Sequence, residues 1–309
     1  MRLWRWLRRL LRGRKREAPV VAKGENWADE KLVEIGDGRL LRAFNALNVH
    51  ERDFEYEYDK ESGRYMFGPR PLQRLSELIA NQFEPVDDIA LARRVAQSRG
   101  VEADRLLERW HETNEEARRA GELLHNNLEQ ILLGEECPVS FVYFFNGQNR
   151  RVRRVVSLID EINQIVHFAE REGIVPYRTL WHVYDEEAGL ISRLDLVARD
   201  RQGRLMLVDL VRSNRWGAEV DGQLRLEMAK RYGTGKGYLE HVPDGDYERA
   251  SLKLAVERRI LAKYYGLEVE RRCILVVHHD YSDYHLVDAL PMEKEAGDVL
   301  YEGYYENQM

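Results

Sequence analysis

Two aspartates stand where a carboxylate is costly. In LISRLDLVARDRQGRLMLVDLVRS, residues 190–213, Asp195 lies in the middle of one aliphatic run and Asp209 near the end of the next, with a Gly-containing turn between them. An unpaired buried charge costs several kcal/mol, so each acid requires a partner or a cation. Two such acids on neighbouring strands begin a divalent-metal site. Upstream, His125 and Glu129 are four residues apart, on one face of a predicted long helix, and His125 is bounded by Leu123, Leu124 and Leu128. Alone, such a histidine is more often a satisfied core residue than a ligand. Set beside two strand carboxylates, it completes a donor set suited to Mg2+ or Mn2+ with open water positions, which is what phosphodiester hydrolysis needs.

The elements that must position these residues are readable from periodicity. An alternating hairpin is predicted over FEYEYD and RYMF, a helix from Pro69 and Pro71 through about Phe83, and a second from Asp87 to Gly100. A long helix follows over Ala103–Leu133, and another over Arg150–Glu172, stopped by Gly173 and Pro176. Strands are predicted at Tyr177–Tyr184, Leu190–Ala198 and Arg204–Val211, then a helix at Tyr247–Tyr265, strands at Arg272–His278 and Tyr284–Val287, and a C-terminal helix. Three antiparallel strands, a crossover helix and a returning strand imply an α/β fold, a mixed sheet with helices on its faces. Residues 17–50 read as a linker with one weak helix, 51–290 as the main domain with a helical N-terminal elaboration, and 291–309 as an extension.

Composition narrows the function classes. The 309-residue chain is 44% hydrophobic and 33% charged, enough for a sizeable core. No apolar run approaches the roughly 20 residues of a membrane span. Cys137 and Cys273 fit neither a zinc pattern nor a disulfide framework, which points to a reducing, intracellular compartment. Residues 2–16 carry eight Arg and Lys and no acid, against a net charge of −6 for the whole chain. The acidic remainder excludes a general polyanion binder, so nucleic-acid contact requires a local basic groove or the tail. That tail, MRLWRWLRRLLRGRKRE, is amphipathic, with Leu3, Leu7, Leu10 and Leu11 on one face. It reads as a membrane-surface helix, an organelle-targeting presequence, or an arm that meets nucleic acid or a partner protein. The loop GTGKG around Lys236 is not a Walker loop, because Gly237 and Tyr238 follow where Ser or Thr is required.

Taken together, YEYDKESGRYMF, ERWHETNEEARRAGELLHNNLEQ, VPYRTLWHVYDEE, the 190–213 pair, LEHVPDGDYERASLKLAVERRILAKYYGLEV and CILVVHHDYSDYHLV resemble, in order and spacing, the PD-(D/E)XK nucleases. The likeness is to the RecB-like exonuclease branch, near the mitochondrial-genome-maintenance type and its phage and large-virus relatives. The resemblance implies a restriction-endonuclease-like mixed sheet and metal-dependent DNA cleavage with Mg2+ or Mn2+. It implies His125, Asp195 and Asp209 as metal ligands and Glu129 as the acid that follows the histidine. The family expects a lysine two residues after the second strand acid; this chain has Val211. Leu180 stands where relatives usually carry Glu, Ser192 replaces a Gly, and Lys253 and Glu257 occupy the positions of a substrate-facing Gln and Tyr. Lys253 is the candidate to supply the missing charge from the helix; the bland reading is a surface pair with Glu257. Arg212 and Arg215 are candidates for nucleic-acid contact, although strand alternation turns Arg212 away from the face of Asp209. Two functions follow: a DNA nuclease acting on single strands or duplex ends with an altered site, or a catalytically inactive nuclease fold serving as a nucleic-acid-binding or structural module.

Overall fold

The computed structural model describes residues 32–147, 150–226 and 231–306. The basic tail and its membrane, targeting and nucleic-acid readings lie outside these residues.

Part of the supposed linker is folded structure. β1 (Val33–Glu34) and β2 (Leu40–Leu41) pair antiparallel, and α1 (Ala43–Leu47) follows with Phe44 buried. Asn45 fixes this segment to the sheet: its amide donates to Thr179 Oγ1 at 3.0 Å, and its carbonyl oxygen accepts from the Thr179 N–H at 2.8 Å. The expected hairpin forms as β3 (Tyr56–Asp59) and β4 (Arg64–Phe67). The helix expected from Pro69 does not start there. Residues Arg70–Arg74 form β5 and the helix α2 spans Leu75–Asn81, because the residue before a proline is pushed to extended backbone.

Asp87 caps α3 (Asp88–Arg99) by accepting from the Ala90 N–H at 2.9 Å, and Gly100, at φ +65°, ends it. The long helix is broken at Asn127 into α4 (Ala103–Asn126) and α5 (Leu128–Leu133). Helix was also expected from Arg150; instead β6 (Ser140–Gly147) and β7 (Arg150–Ser157) make an antiparallel ribbon and α6 runs only over Ile159–Glu172. The valines of RRVRRVVS are β-branched, and a partner strand at register settles the choice.

The remaining elements are β8 (Val175–Asp185), β9 (Leu190–Arg199), β10 (Leu205–Arg212), a small pair β11 (Ala218–Val220) and β12 (Gln223–Arg225), α7 (Asp246–Tyr265), β13 (Arg271–Val277), β14 (His285–Asp288) and α8 (Glu293–Glu306). β8, β9 and β10 are successive antiparallel neighbours, and β13 lies parallel to β10 after the α7 crossover. The main sheet runs β14-β13-β10-β9-β5-β4-β3, with β8 on the other edge of β9. The chain is an α/β protein with this large mixed sheet between helices. Alternation on β10 divides the core: Leu205 and Leu207 pack towards α7 and α2, while Met206, Val208 and Leu210 pack towards α4 and α6. Among the described residues no helix is long and apolar enough to cross a membrane.

Candidate active site

The site occupies a notch in the sheet. β8 pairs with β9 along Leu190–Arg199. On the opposite edge of β9, β10 pairs with 196–199 and β5 only with Leu190 and Ile191. Among the described residues Ser192 to Asp195 therefore have no ladder partner on that edge, and the strands open into a cleft of about 490 Å3. Tyr65, Arg74, His125, His182, Arg193, Asp195, Asp209 and Lys253 line it. Thus the residues singled out for metal and charge, His125, Asp195, Asp209 and Lys253, share one cavity.

Each is held by a specific contact. Asp195 Oδ2 accepts from the Leu210 N–H at 2.9 Å, replacing the strand bond lost at the notch, and Asp195 Oδ1 lies 3.0 Å from His125 Nδ1. The helix break at Asn127 leaves His125 in the last turn of α4, above the strands. From the other face of the sheet, Lys253 on α7 donates to Asp209 Oδ1 at 2.6 Å and reaches Glu257 Oε1 at 3.4 Å. Ser192 Oγ donates to the same Glu257 oxygen at 2.6 Å, leaving Glu257 Oε2 buried without a hydrogen-bond partner. Lys253 and Glu257 are i, i+4 neighbours, yet not a surface pair: their side chains are 20% and 1% exposed.

Opposite Asp195 the backbone of β8 departs from a regular strand. Thr179 pairs with Leu196 and Trp181 with Leu194, which sets Leu180 across from Asp195. Leu180 has φ +48°, a left-handed conformation that costs a residue with a Cβ about 1–2 kcal/mol, and its carbonyl accepts from Arg39 Nη1 at 2.8 Å.

Burial and mutual charge polarise the cluster. Burial by itself would hold the His125 proton off and raise Asp195; their proximity reverses both, so His125 is raised and Asp195 lowered. Asp209 goes up despite Lys253, because burial and the nearby Asp195 charge outweigh the ammonium. Burial pushes Glu257 up to about 7, against Lys253 and Ser192. Lys253 stays charged, its own burial outweighed by Asp209, Glu257 and Asp195. Three buried carboxylates face one lysine and one histidine. The oxygen and imidazole donors fit a hard divalent cation. Their ligand atoms are less closely gathered than those of His278, His279 and Asp280, the one trio among the described residues within 4.8 Å of one another. That second trio is poorly suited to a cation, since Arg212 Nη2 sits 3.2 Å from His279 Nδ1.

Other expected site residues lie elsewhere. Glu129 falls on α5, beyond the break, with its Oε1 3.7 Å from Arg42 Nε, and does not line the cleft. Arg212 is not available to nucleic acid: its Nε bonds to Glu161 Oε1 at 2.8 Å and both side chains are buried. Arg215 is exposed, donates to Asn114 Oδ1 at 3.0 Å, and lines a second recess of about 640 Å3 with Val211, Arg212 and Arg249. Arg74 and Arg193 were missed in the sequence; Arg74 belongs to the strand that reads locally as a helix. His182 also lines the cleft, kept neutral by burial and by Arg39, Arg193 and Arg74, with Nε2 3.0 Å from the Tyr65 hydroxyl.

No protein-family model and no curated protein matches the chain. Among solved structures, the crystal structure of SSO0001 is similar with a TM-score of 0.29 and 9% identity, over 76% of this chain and 75% of that one. A likeness at this level carries no argument about function.

Proposed function

We propose that the chain is a metal-dependent DNA nuclease of the PD-(D/E)XK type whose catalytic lysine has moved from strand to helix. The observation that carries this reading is the position of Lys253 Nζ, 2.6 Å from Asp209 in the cleft that also holds His125 and Asp195. His125, Asp195 and Asp209 would hold Mg2+ or Mn2+. When bound, the cation supplies Lewis acidity for water and phosphate. Lys253 places a fixed positive charge beside the reacting phosphate, where charge grows in the transition state. Glu257 and Asp209 keep that ammonium oriented, and Ser192 keeps Glu257 in place. Arg74 and Arg193, on the cleft wall, offer guanidinium groups to flanking phosphates of DNA.

The second reading, an inactive nuclease fold that binds nucleic acid or serves structure, is favoured by Val211 at the lysine position and by the wider spacing of the ligand trio. Calorimetric titration with Mn2+ separates the two. The nuclease reading predicts saturable binding that Asp209→Asn removes. No heat of binding, or binding that survives the substitution, overturns the metal site.

A further inference from the structure

Strand register sets a line of arginines on the face of the sheet that carries Asp195. Arg74 pairs with Ile191 across the parallel contact of β5 and β9, so Arg70, Leu72 and Arg74 project to the same side as Ile191, Arg193 and Asp195. Leu72 and Ile191 are buried with Tyr56 and Tyr184, whereas Arg70, Arg74 and Arg193 are exposed. Among the described residues Arg70 and Arg193 have no ion pair and no side-chain hydrogen bond. Arg74 has a half-exposed pair with Glu77 at 3.2 Å, which is worth little. Because β5 and β9 run parallel, the line continues in one direction. Arg70 to Arg74 is roughly 13 Å and Ile191 to Asp195 roughly another 13 Å, with Arg193 halfway along the second step. The acids of the neighbouring hairpin face away: Tyr58 lies opposite Tyr65, and Tyr65 opposite Leu72, which turns Glu57 and Asp59 to the other side. In a chain of net charge −6, this line holds three cations and no acid before Asp195.

We infer that Arg70, Arg74 and Arg193 form a phosphate track that lays the backbone of a single polynucleotide strand along β5 and into the cleft. The inference rests on the nuclease reading only for what happens at the Asp195 end. It extends the cleft wall of Arg74 and Arg193 outward to Arg70 and gives the bound strand a path. Guanidinium groups meet phosphate oxygens through paired N–H donors, and Arg70 and Arg193 give up no protein partner in doing so. One line of cations matches one backbone, and the notch at its end, about 490 Å3, receives one strand. From Arg70 to Asp195 the line runs roughly 26 Å, about eight nucleotides at the 3.4 Å per nucleotide of a stacked strand.

The test is fluorescence anisotropy over a salt series with a labelled single strand of about 12 nucleotides, in EDTA so that no cutting intervenes. Arg70→Gln and Arg193→Gln should each weaken binding by about fivefold or more and reduce the salt slope by about 0.7, and the double variant should reduce it by about 1.4. Both side chains are exposed, so the melting temperature should stay at the wild-type value. Arg94, exposed on α3 and likewise without an ion pair among the described residues, is the control for general attraction, and Arg94→Gln should leave affinity and slope unchanged. On a blunt duplex the loss in the track variants should be smaller. Unchanged single-strand affinity in Arg70→Gln and Arg193→Gln overturns the inference. So does an Arg94→Gln loss as large as theirs, or an equal loss on the duplex. A wild type that cuts nothing with Mn2+ while the track variants lose binding defeats the nuclease reading and leaves the track standing; cleavage that persists while neither variant loses binding does the reverse.

Discussion

Lys253→Met should lower metal-dependent cleavage by a factor of hundreds to thousands, the effect of removing about 3–4 kcal/mol of fixed charge from a phosphoryl-transfer site. Lys253 is the cation at 2.6 Å from Asp209, and Val211 leaves the strand without one. Val211 and Asp209 lie on the same strand face, two residues apart, so a lysine at 211 approaches the same acid from β10. Val211→Lys in the Lys253→Met background should therefore recover at least about tenfold of the lost rate, or about 1.4 kcal/mol. Wild-type cleavage in Lys253→Met would remove the lysine from the account. The substitution should also leave a pH signature. Burial already pushes Glu257 up to about 7 from its ordinary 4.5, and without the ammonium Glu257 and Asp209 hold their protons to still higher pH. A carboxyl raised in the folded state contributes stability that is present below the unfolded pKa and lost as pH rises through the folded one. Wild type and variant lose this stability in parallel up to about pH 7, where Glu257 ionises in the wild type, so the melting deficit of Lys253→Met should widen as pH rises above about 7. A deficit that narrows over this range contradicts the burial of both acids.

Asp53→Ala should cost about 3–5 kcal/mol of stability in a urea melt, the penalty for stranding a buried charge. Asp53 is fully buried and serves three donors: Arg178 Nη1 at 2.7 Å, Trp181 Nε1 at 2.7 Å and the His50 N–H at 2.9 Å. Arg178 is itself 1% exposed, so the substitution leaves its guanidinium buried without its acid. These bonds tie the segment before the first hairpin to β8, next to the irregular backbone at Leu180 that faces Asp195. The exposed Arg118 fork onto Glu115 and Glu122 is the control, and Arg118→Ala should leave the melt unchanged. A loss of less than about 1 kcal/mol at Asp53 would mean that the buried pair is no better than a solvated one.

The strands and crossover helix around the site were legible because their signals are long and local. β8, β9 and β10 are eight to eleven residues each, rich in aliphatic and aromatic side chains, and α7 keeps a helical pattern through twenty residues. Asp195 and Asp209 were conspicuous for a physical reason, acids among aliphatics, and both line the cleft that His125 lines. What escaped were elements whose conformation depends on distant partners. The pieces at Val33–Glu34 and Leu40–Leu41 are two residues long, and they and α1 are held by contacts such as Asn45 to Thr179. RRVRRVVS has valines at spacings compatible with either period, and only β6 makes it a strand. Asn127 divides a pattern that reads as one helix, and so moves Glu129 away from the face of His125. Glu257 was visible as a neighbour of Lys253, but its bond to Ser192, 65 residues earlier, belongs to the packing of α7 on β9.

The most direct measurement is cleavage of end-labelled single-stranded and duplex DNA by the purified chain with Mn2+, beside the same reaction in EDTA and an Asp195→Asn, Asp209→Asn variant. The account predicts products only in the wild type with the cation. No cleavage by the wild type at enzyme in excess over substrate, or equal cleavage by the double variant, would contradict it.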